Sequence, residues 1–350
     1  MKSYRVIGLM SGTSLDGLDI AFCEFSREGN RWQYQVVEAE TIEYEAEWKE
    51  RLAKLDHGSA LEFATADTAY GHLLGRLTRA FMERTGLVPD FIASHGHTIF
   101  HQPALGLTSQ IGKGPAIAAE TGLPVISDFR SLDVALGGQG APLVPIGDRL
   151  LFGDYTFCLN LGGFANISTE RDGRRVAWDI CPVNIVMNRL ASAAGYAYDP
   201  GGEIAASGIV DDQLLSSLNE LPYYRMSAPK SLGKEWTDEQ VRPLLDRSGL
   251  RVADLLATWS EHAARQIAAA AAAAPGNTML VTGGGAFNTH LIERIGHHTA
   301  SRLILPDPLI IGFKEALIFA LLGLLRHLGE NNCLSSVTGA SRDSCGGVIS

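Results

Sequence analysis

The sequence predicts an α/β protein built from two duplicated domains facing across a cleft, and two observations predict it. The order strand, glycine turn, strand, strand, helix, strand, helix, strand can be read twice along the 350 residues. The opening hairpins of the two copies, "IGLMSGTSLDGLDIAF" and "LNLGGFANIS", both carry glycines where the chain reverses. An ordinary α/β enzyme with unrelated halves is the alternative that pattern alone leaves open.

In the first copy, "YRVIGLM", "LDIAFCEF" and "WQYQVVEAETIEY" are rich in β-branched and aromatic residues and read as strands. Apolar positions at Leu61, Ala64, Leu73, Leu74, Leu77 and Phe81 predict a helical region from about Glu47 to Arg84. "DFIASHG" and "LPVISDF" follow as short buried strands. The second copy begins near Tyr155 with "YTFCLNLGG", "FANISTE" and, after a turn at Asp172–Gly173, "RRVAWDI". Helices are expected near Val186–Ala194 and from about Val252 to Ala274. "TMLVTGGG" and "SRLILPD" are buried strands around a further helix, and an amphipathic helix spans Lys314 to Leu328. The expected domains are residues 1–149 and 150–328, with the tail 329–350 returning to the first.

Composition narrows the function. A hydrophobic content of 46% with 19% charged residues suits globular cores. The net charge of −10, with no Lys/Arg run, argues against a nucleic-acid partner. Cys23, Cys158, Cys181, Cys333 and Cys345 are odd in number and form no C-x-x-C pair, so reduced thiols in the cytosol are expected. The N-terminus lacks a signal-peptide core, and "ALIFALLGLL" is too short to cross a bilayer, so no membrane association is expected.

Three glycine clusters carry the chemical signal. In "GLMSGTSLDGLDIAF" no helix follows the glycines, which disfavours a helix-dipole anion site. A tight hairpin can still cradle phosphate through the amides of Gly12, Thr13 and Ser14, with the hydroxyls of Ser11, Thr13 and Ser14 as further donors. Asp16 and Asp19 would repel phosphate unless a divalent cation stood between them. "NLGGFANIS" offers Asn160, Gly162 and Gly163, and "VTGGGAFN" offers Gly283, Gly284 and Gly285 between a strand and a helix. A plain turn accounts for any one cluster; three at matching places in a duplicated fold point to a nucleotide.

The hairpins resemble the phosphate and adenosine elements of the superfamily that unites actin, sugar kinases and heat-shock chaperone ATPases. With "SHGHTIFHQP", "TGLPVISDFRSLDVALGGQGAPLVP", "KEALIFALLG" and "SVTGA", the chain is identified as resembling the anhydro-N-acetylmuramic acid kinases from residue 6 to about 340. The resemblance implies two RNase H-like (actin-like ATPase) domains. It also implies a bacterial cytoplasmic kinase using ATP and Mg²⁺, acting on a small-molecule sugar, with no nucleic-acid or membrane partner and at most a second copy of the chain. Its reaction would open the 1,6-anhydro bridge of anhydro-N-acetylmuramic acid with water and phosphorylate O6, in cell-wall recycling.

Carried onto this chain, the resemblance makes Asp179 the catalytic base and Glu315 a second acidic residue near the reaction. Gly12, Thr13, Ser14, Leu15, Asp16, Gly17, Asp19, Asn160, Gly162, Gly163 and Gly283–Gly285 would hold the nucleotide, with Asp16 toward Mg²⁺. His95, His97, Asp128, Arg130 and Asn184 would line the sugar. The spacing of His95, His97 and His101 also leaves zinc ligation open, since His95 and His97 would share one face of a strand. An N-terminal-turn role is equally open for Glu315. One departure stands out. The family's usual Asp-Thr-Gly-Pro-Gly-Asn is here Asp179, Ile180, Cys181, Pro182, Val183, Asn184, which is expected to add side chains beside the base and reshape the pocket.

Overall fold

The computed structural model describes residues 2–12, 15–29, 31–271 and 276–350; Thr13 and Ser14, two of the expected phosphate-cradling residues, lie outside the described residues. The chain divides into two compact units, Met1–Leu151 with Phe313–Ser350, and Phe152–Gly312.

In unit 1, β1 (Ser3–Ser11), β2 (Gly17–Glu28) and β3 (Arg31–Glu43) form an antiparallel meander. On the other side of β1, β4 (Phe91–Gln102) runs parallel to it and β6 (Val125–Ser127) parallel to β4. β5 (Leu107–Ile111), which the sequence reading did not anticipate, pairs antiparallel with the end of β4. The C-terminal strand Val348–Ile349 closes the sheet edge against β6.

Alternation sorts the faces of this sheet. Ile7, Leu9, Leu18, Ile20 and Phe22 are buried with Tyr70, Leu74 and Phe81 of the helix Ala60–Thr85. That helix is distinct from Ala46–Lys54, because Ser59 and Glu62 form a capping box that starts a new one. The opposite face meets the helix Pro308–Leu328. There a Cβ on Gly8 would lie 1.9 Å from the Ala316 carbonyl oxygen, so only glycine permits this backbone approach.

The helix Pro308–Leu328 starts six residues before its predicted Lys314 and is interrupted at Phe313 (φ −116°, ψ 16°). Unit 2 therefore closes at Gly312, and the remainder of the helix belongs to unit 1 rather than to the second domain. By length and composition the helix could cross a membrane, contrary to the reading of its apolar centre as too short. Yet 67% of its most apolar window is buried, and Ala316 to Leu322 are at most 1% exposed, as the core of unit 1 requires.

Unit 2 repeats the plan. β7 (Phe157–Leu161), β8 (Phe164–Arg171) and β9 (Arg174–Pro182) form the meander, and β10 (Thr278–Thr282) and β11 (Arg302–Ile304) add in parallel beside β7. Both sheets thus share one strand order and one set of directions, which is the duplication the sequence pattern implied. The core of unit 2 gathers Trp259 and Ile267 of the helix Val252–Ala271 with Leu159, Ile167, Met279 and Val281.

Candidate active site

The unit 1 residues are arranged by an irregularity in β4. Leu9 pairs with Ser94 and Ser11 with His97, so β4 uses three residues where β1 uses two. Gly96 makes this bulge: its φ is +74°, and a Cβ there would lie 2.4 Å from the Ile111 carbonyl oxygen. The bulge overturns the expectation that His95 and His97 share a face. His95 packs on Phe319 of the Pro308–Leu328 helix, ring centroids 4.6 Å apart, whereas His97 turns to Ser11 and to Tyr70 of the Ala60–Thr85 helix. Among the described residues no group of three or more His, Cys, Asp or Glu is placed to hold a metal ion, which removes the zinc reading.

Arg130 organises the His95 side. Its Nε and Nη2 donate to His95 Nε2 at 3.1 and 2.9 Å, and its Nη1 donates to the Gly140 carbonyl at 2.6 Å. His95 Nδ1 in turn lies 2.9 Å from the Gly96 carbonyl, so the ring is the neutral Nδ1–H tautomer. Burial, then the Arg130 charge, hold its pKa well below the usual value. Among the described residues, one N–H on each Arg130 Nη atom has no partner and is left for a ligand. Glu315 lies two residues past the Phe313 interruption, not in the first turn of its helix. Burial pushes its pKa up, Arg130 pulls it down, and Asp19 raises it again, so Asp19, Arg130 and Glu315 share one electrostatic field.

Asp19 accepts a 2.6 Å hydrogen bond from Thr41 Oγ1 and is itself shifted upward by burial, partly offset by that bond. Asp16 is exposed beside it. The Leu15 amide donates to the Gly12 carbonyl at 3.3 Å, with Leu15 at φ 61°. Gly17 is demanded by strand packing: a Cβ would meet the Ile42 carbonyl oxygen at 2.5 Å. Ser11, read as a phosphate donor, is instead buried, its hydroxyl engaged by Tyr44, Tyr70 and His97. Asp128 does not pair with Arg130; its Oδ1 accepts from the Ser131 amide and starts the helix Ser131–Ala135. Sequence reasoning missed Asp133, a buried carboxylate that accepts from Gly140 N at 2.8 Å and Thr338 Oγ1 at 2.7 Å, tying the "GGQGAP" loop to the "SVTGA" tail. An Asp inside a short helical stretch carried no signal for this.

In unit 2, β8 and β9 contain a second bulge. Asn166 pairs with Asp179 and Ala165 with Cys181, leaving Ile180 as the extra residue. Asp179 is then held by a segment distant in sequence. Its amide donates to the Lys230 carbonyl, its carbonyl accepts from Tyr223 Oη at 2.7 Å, and its Oδ2 accepts from the Leu232 amide at 2.9 Å. Burial raises its pKa and the Leu232 amide works against that rise. The departures beside it do not crowd the carboxylate. Ile180, Cys181 and Val183 are at most 2% exposed and belong to the unit 2 core, so the expected reshaping is absorbed by inward packing.

The unit 2 glycines converge. A Cβ on Gly283 (φ +82°) would lie 2.6 Å from Asn160 Oδ1, and one on Gly285 would lie 2.7 Å from Leu161 Cβ. A Cβ on Gly163 would meet nothing closer than Ile185 at 4.0 Å, and one on Gly284 nothing closer than Asn184 at 3.8 Å. Bare backbone is therefore presented beside Asn160. Asn184 lies among these glycines: its Nδ2 donates to the Leu161 carbonyl at 3.1 Å and its amide to the Gly162 carbonyl.

Two sheets built on a common five-strand order, one carrying the Arg130–His95 pair with Glu315 and the other the glycine cluster and Asp179, define a duplicated RNase H-like α/β protein of the actin-like ATPase class. The family model described as anhydro-N-acetylmuramic acid kinase matches residues 4–350, and the chain belongs to that family. It is 35% identical over 369 residues to the anhydro-N-acetylmuramic acid kinase of Shewanella sp. (strain ANA-3), covering 98% of both chains. It is 37% identical to that of Gloeobacter violaceus, covering 98% of this chain and 97% of the relative, and 39% identical to that of Pseudomonas putida over 83% of each.

Proposed function

We propose that this chain is an ATP-dependent carbohydrate kinase that opens the 1,6-anhydro bridge of anhydro-N-acetylmuramic acid and phosphorylates O6. The products are N-acetylmuramic acid 6-phosphate and ADP, in bacterial cytoplasmic cell-wall recycling. Membership of the family over residues 4–350 supports the substrate, and the placement of Asp179 carries the mechanism.

The bridged sugar has no free 6-hydroxyl. Water attacks C1, its proton passes to Asp179, the C1–O6 bond breaks, and O6 takes the γ-phosphoryl group as ADP leaves. A carboxylate shifted upward by burial is a stronger base than an ordinary aspartate, and the Leu232 amide leaves Oδ1 for the water. Arg130, through its two remaining N–H groups, suits the sugar's lactyl carboxylate, with His95 beside it. Glu315 adds a carboxylate to the same field.

The bare backbone at Gly163 and Gly284, with Asn160 and Asn184 close by, fits a nucleotide that approaches closely. Asp16, exposed beside Asp19, would stand toward Mg²⁺. The ion would supply charge neutralisation.

The test is to incubate the protein with ATP, Mg²⁺ and either the anhydro sugar or N-acetylmuramic acid in ¹⁸O-labelled water. ADP release with label at C1 is expected from the anhydro sugar. Unlabelled product, or turnover of the free sugar alone, would make it a conventional sugar kinase.

A further inference from the structure

We infer that Asp133 is a positioning residue for the sugar: it pins the Gly140 loop, and the loop's backbone aims the Arg130 guanidinium at the lactyl carboxylate. The aim at the sugar rests on the function proposed above; the pinning of Arg130 does not.

Arg130 immediately precedes the helix Ser131–Ala135, and Asp133 lies three positions further on, 1% exposed. Its Oδ2 accepts from the Gly140 amide at 2.8 Å, and its Oδ1 accepts from Thr338 Oγ1 at 2.7 Å and Cys333 Sγ at 3.1 Å. Gly140 is the relay. Its amide is held by Asp133 while its carbonyl receives Arg130 Nη1 at 2.6 Å. The loop is seated directly on the carboxylate: a Cβ on Gly138 would lie 2.2 Å from Asp133 Oδ2, and one on Gly140 (φ +66°) would lie 2.7 Å from Val134 Cγ2. The C-terminal segment braces the same loop, through the Gln139 amide donating to the Thr338 carbonyl at 2.8 Å.

Glycine at 137, 138 and 140 would leave a free segment many backbone conformations. Asp133 removes that freedom. An ionised carboxylate only accepts, which suits three donors converging on it from the loop and the tail. The guanidinium it serves is planar and held at two edges, Nε and Nη2 on His95 Nε2 and Nη1 on the Gly140 carbonyl. With the Gly140 anchor loose, the group would pivot on His95 alone, and its two remaining N–H groups would lose their common aim. Loss of Asp133 would also leave the Gly140 amide and the buried Thr338 hydroxyl without this acceptor. Asp133 therefore acts on the ligand through Arg130 and not by touching it.

Low-temperature ¹H–¹⁵N spectra of ¹⁵N-arginine-labelled protein read the guanidinium directly, with Arg130→Lys assigning its signal. The wild type should show a slowly rotating Arg130 group with resolved Nη signals, which Asp133→Ala should average. An Arg130 spectrum untouched in folded Asp133→Ala overturns the inference whatever the kinase assay gives. In that assay Asp133→Ala should raise the sugar KM about five- to twentyfold with the ATP KM unchanged. Asp133→Asn, which still accepts from Gly140 and donates to Thr338 Oγ1, should recover most of the loss. In an Arg130→Ala background, Asp133→Ala should add no more than about a twofold rise. A full second rise there would show Asp133 acting apart from Arg130 and sink the inference. Should Asp133→Ala fail to fold, Thr338→Val withdraws one donor from Oδ1 and should raise the sugar KM about two- to fivefold while loosening the Arg130 signals; an unchanged Arg130 counts against the pinning. Averaging of Arg130 by Asp133→Ala in a protein without sugar-dependent ADP release would overturn the functional reading and leave the pinning in place.

Discussion

The Asp179 carboxylate and the Leu232 amide, far apart in sequence, are joined by a 2.9 Å hydrogen bond. This bond holds one oxygen of a carboxylate whose pKa burial has raised. Asp179→Asn should lower sugar-dependent ADP release by about 10²–10⁴-fold. The base works only when ionised, so kcat/KM should fall as pH drops through a value above the 3.8 of an ordinary aspartate. Stopped assays across pH 4–8 would show it, and an activity untouched by the substitution would remove Asp179 from its role.

The glycines of unit 2 should separate into two kinds. Gly283→Ala puts a side chain at φ +82° and 2.6 Å from Asn160 Oδ1, and should cost about 1–3 kcal/mol in urea denaturation. Gly163→Ala meets nothing closer than 4.0 Å and should leave stability within about 0.5 kcal/mol while weakening ATP binding in calorimetry. Equal effects on folding from both would contradict the close approach at Gly283.

Acid sensitivity should trace to Glu261. Burial alone would raise its pKa, but hydrogen bonds from Arg265, Arg294 and His298 outweigh it and hold the carboxylate at about 2. A depressed folded-state pKa stabilises above the unfolded value and loses that contribution as pH falls from about 4.5 to about 2. Glu261→Gln should lower stability at neutral pH by about 1–3 kcal/mol and flatten that acid dependence, as measured by denaturation at stepped pH.

Within unit 1, Lys314 and Asp148 form a 2.7 Å ion pair with both side chains 4% exposed. Asp148→Ala leaves the ammonium buried without this carboxylate and should cost about 3–5 kcal/mol. Asp148→Ala with Lys314→Met should recover much of that loss in the same denaturation assay, and a double variant as unstable as the single one would argue against pairing as the cause.

Part of this site was legible in the chain. Asp179, the glycines and Arg130 stand in motifs whose residue types announce their chemistry, and the capping box at Ser59–Glu62 was there to be read as a helix start. Leu232, Tyr223, Tyr44, Tyr70 and Asp133 carried no such mark, because each acts through a partner distant in sequence. The same holds for Ile180, Cys181 and Val183, whose missing glycines suggested a crowded base until their burial in the core was seen.

By itself the sequence determined the duplicated strand order, the three glycine clusters and the acidic candidates, since these depend on local periodicity and turn chemistry. Only the tertiary structure decided which way side chains point. Alternation assigned His95 and His97 to one face, but the pairing of β4 with both β1 and β5 imposes a bulge at Gly96 that reverses the parity. A strand's facing is a property of its neighbours' register, and register is settled by contacts between segments that no short stretch of sequence contains.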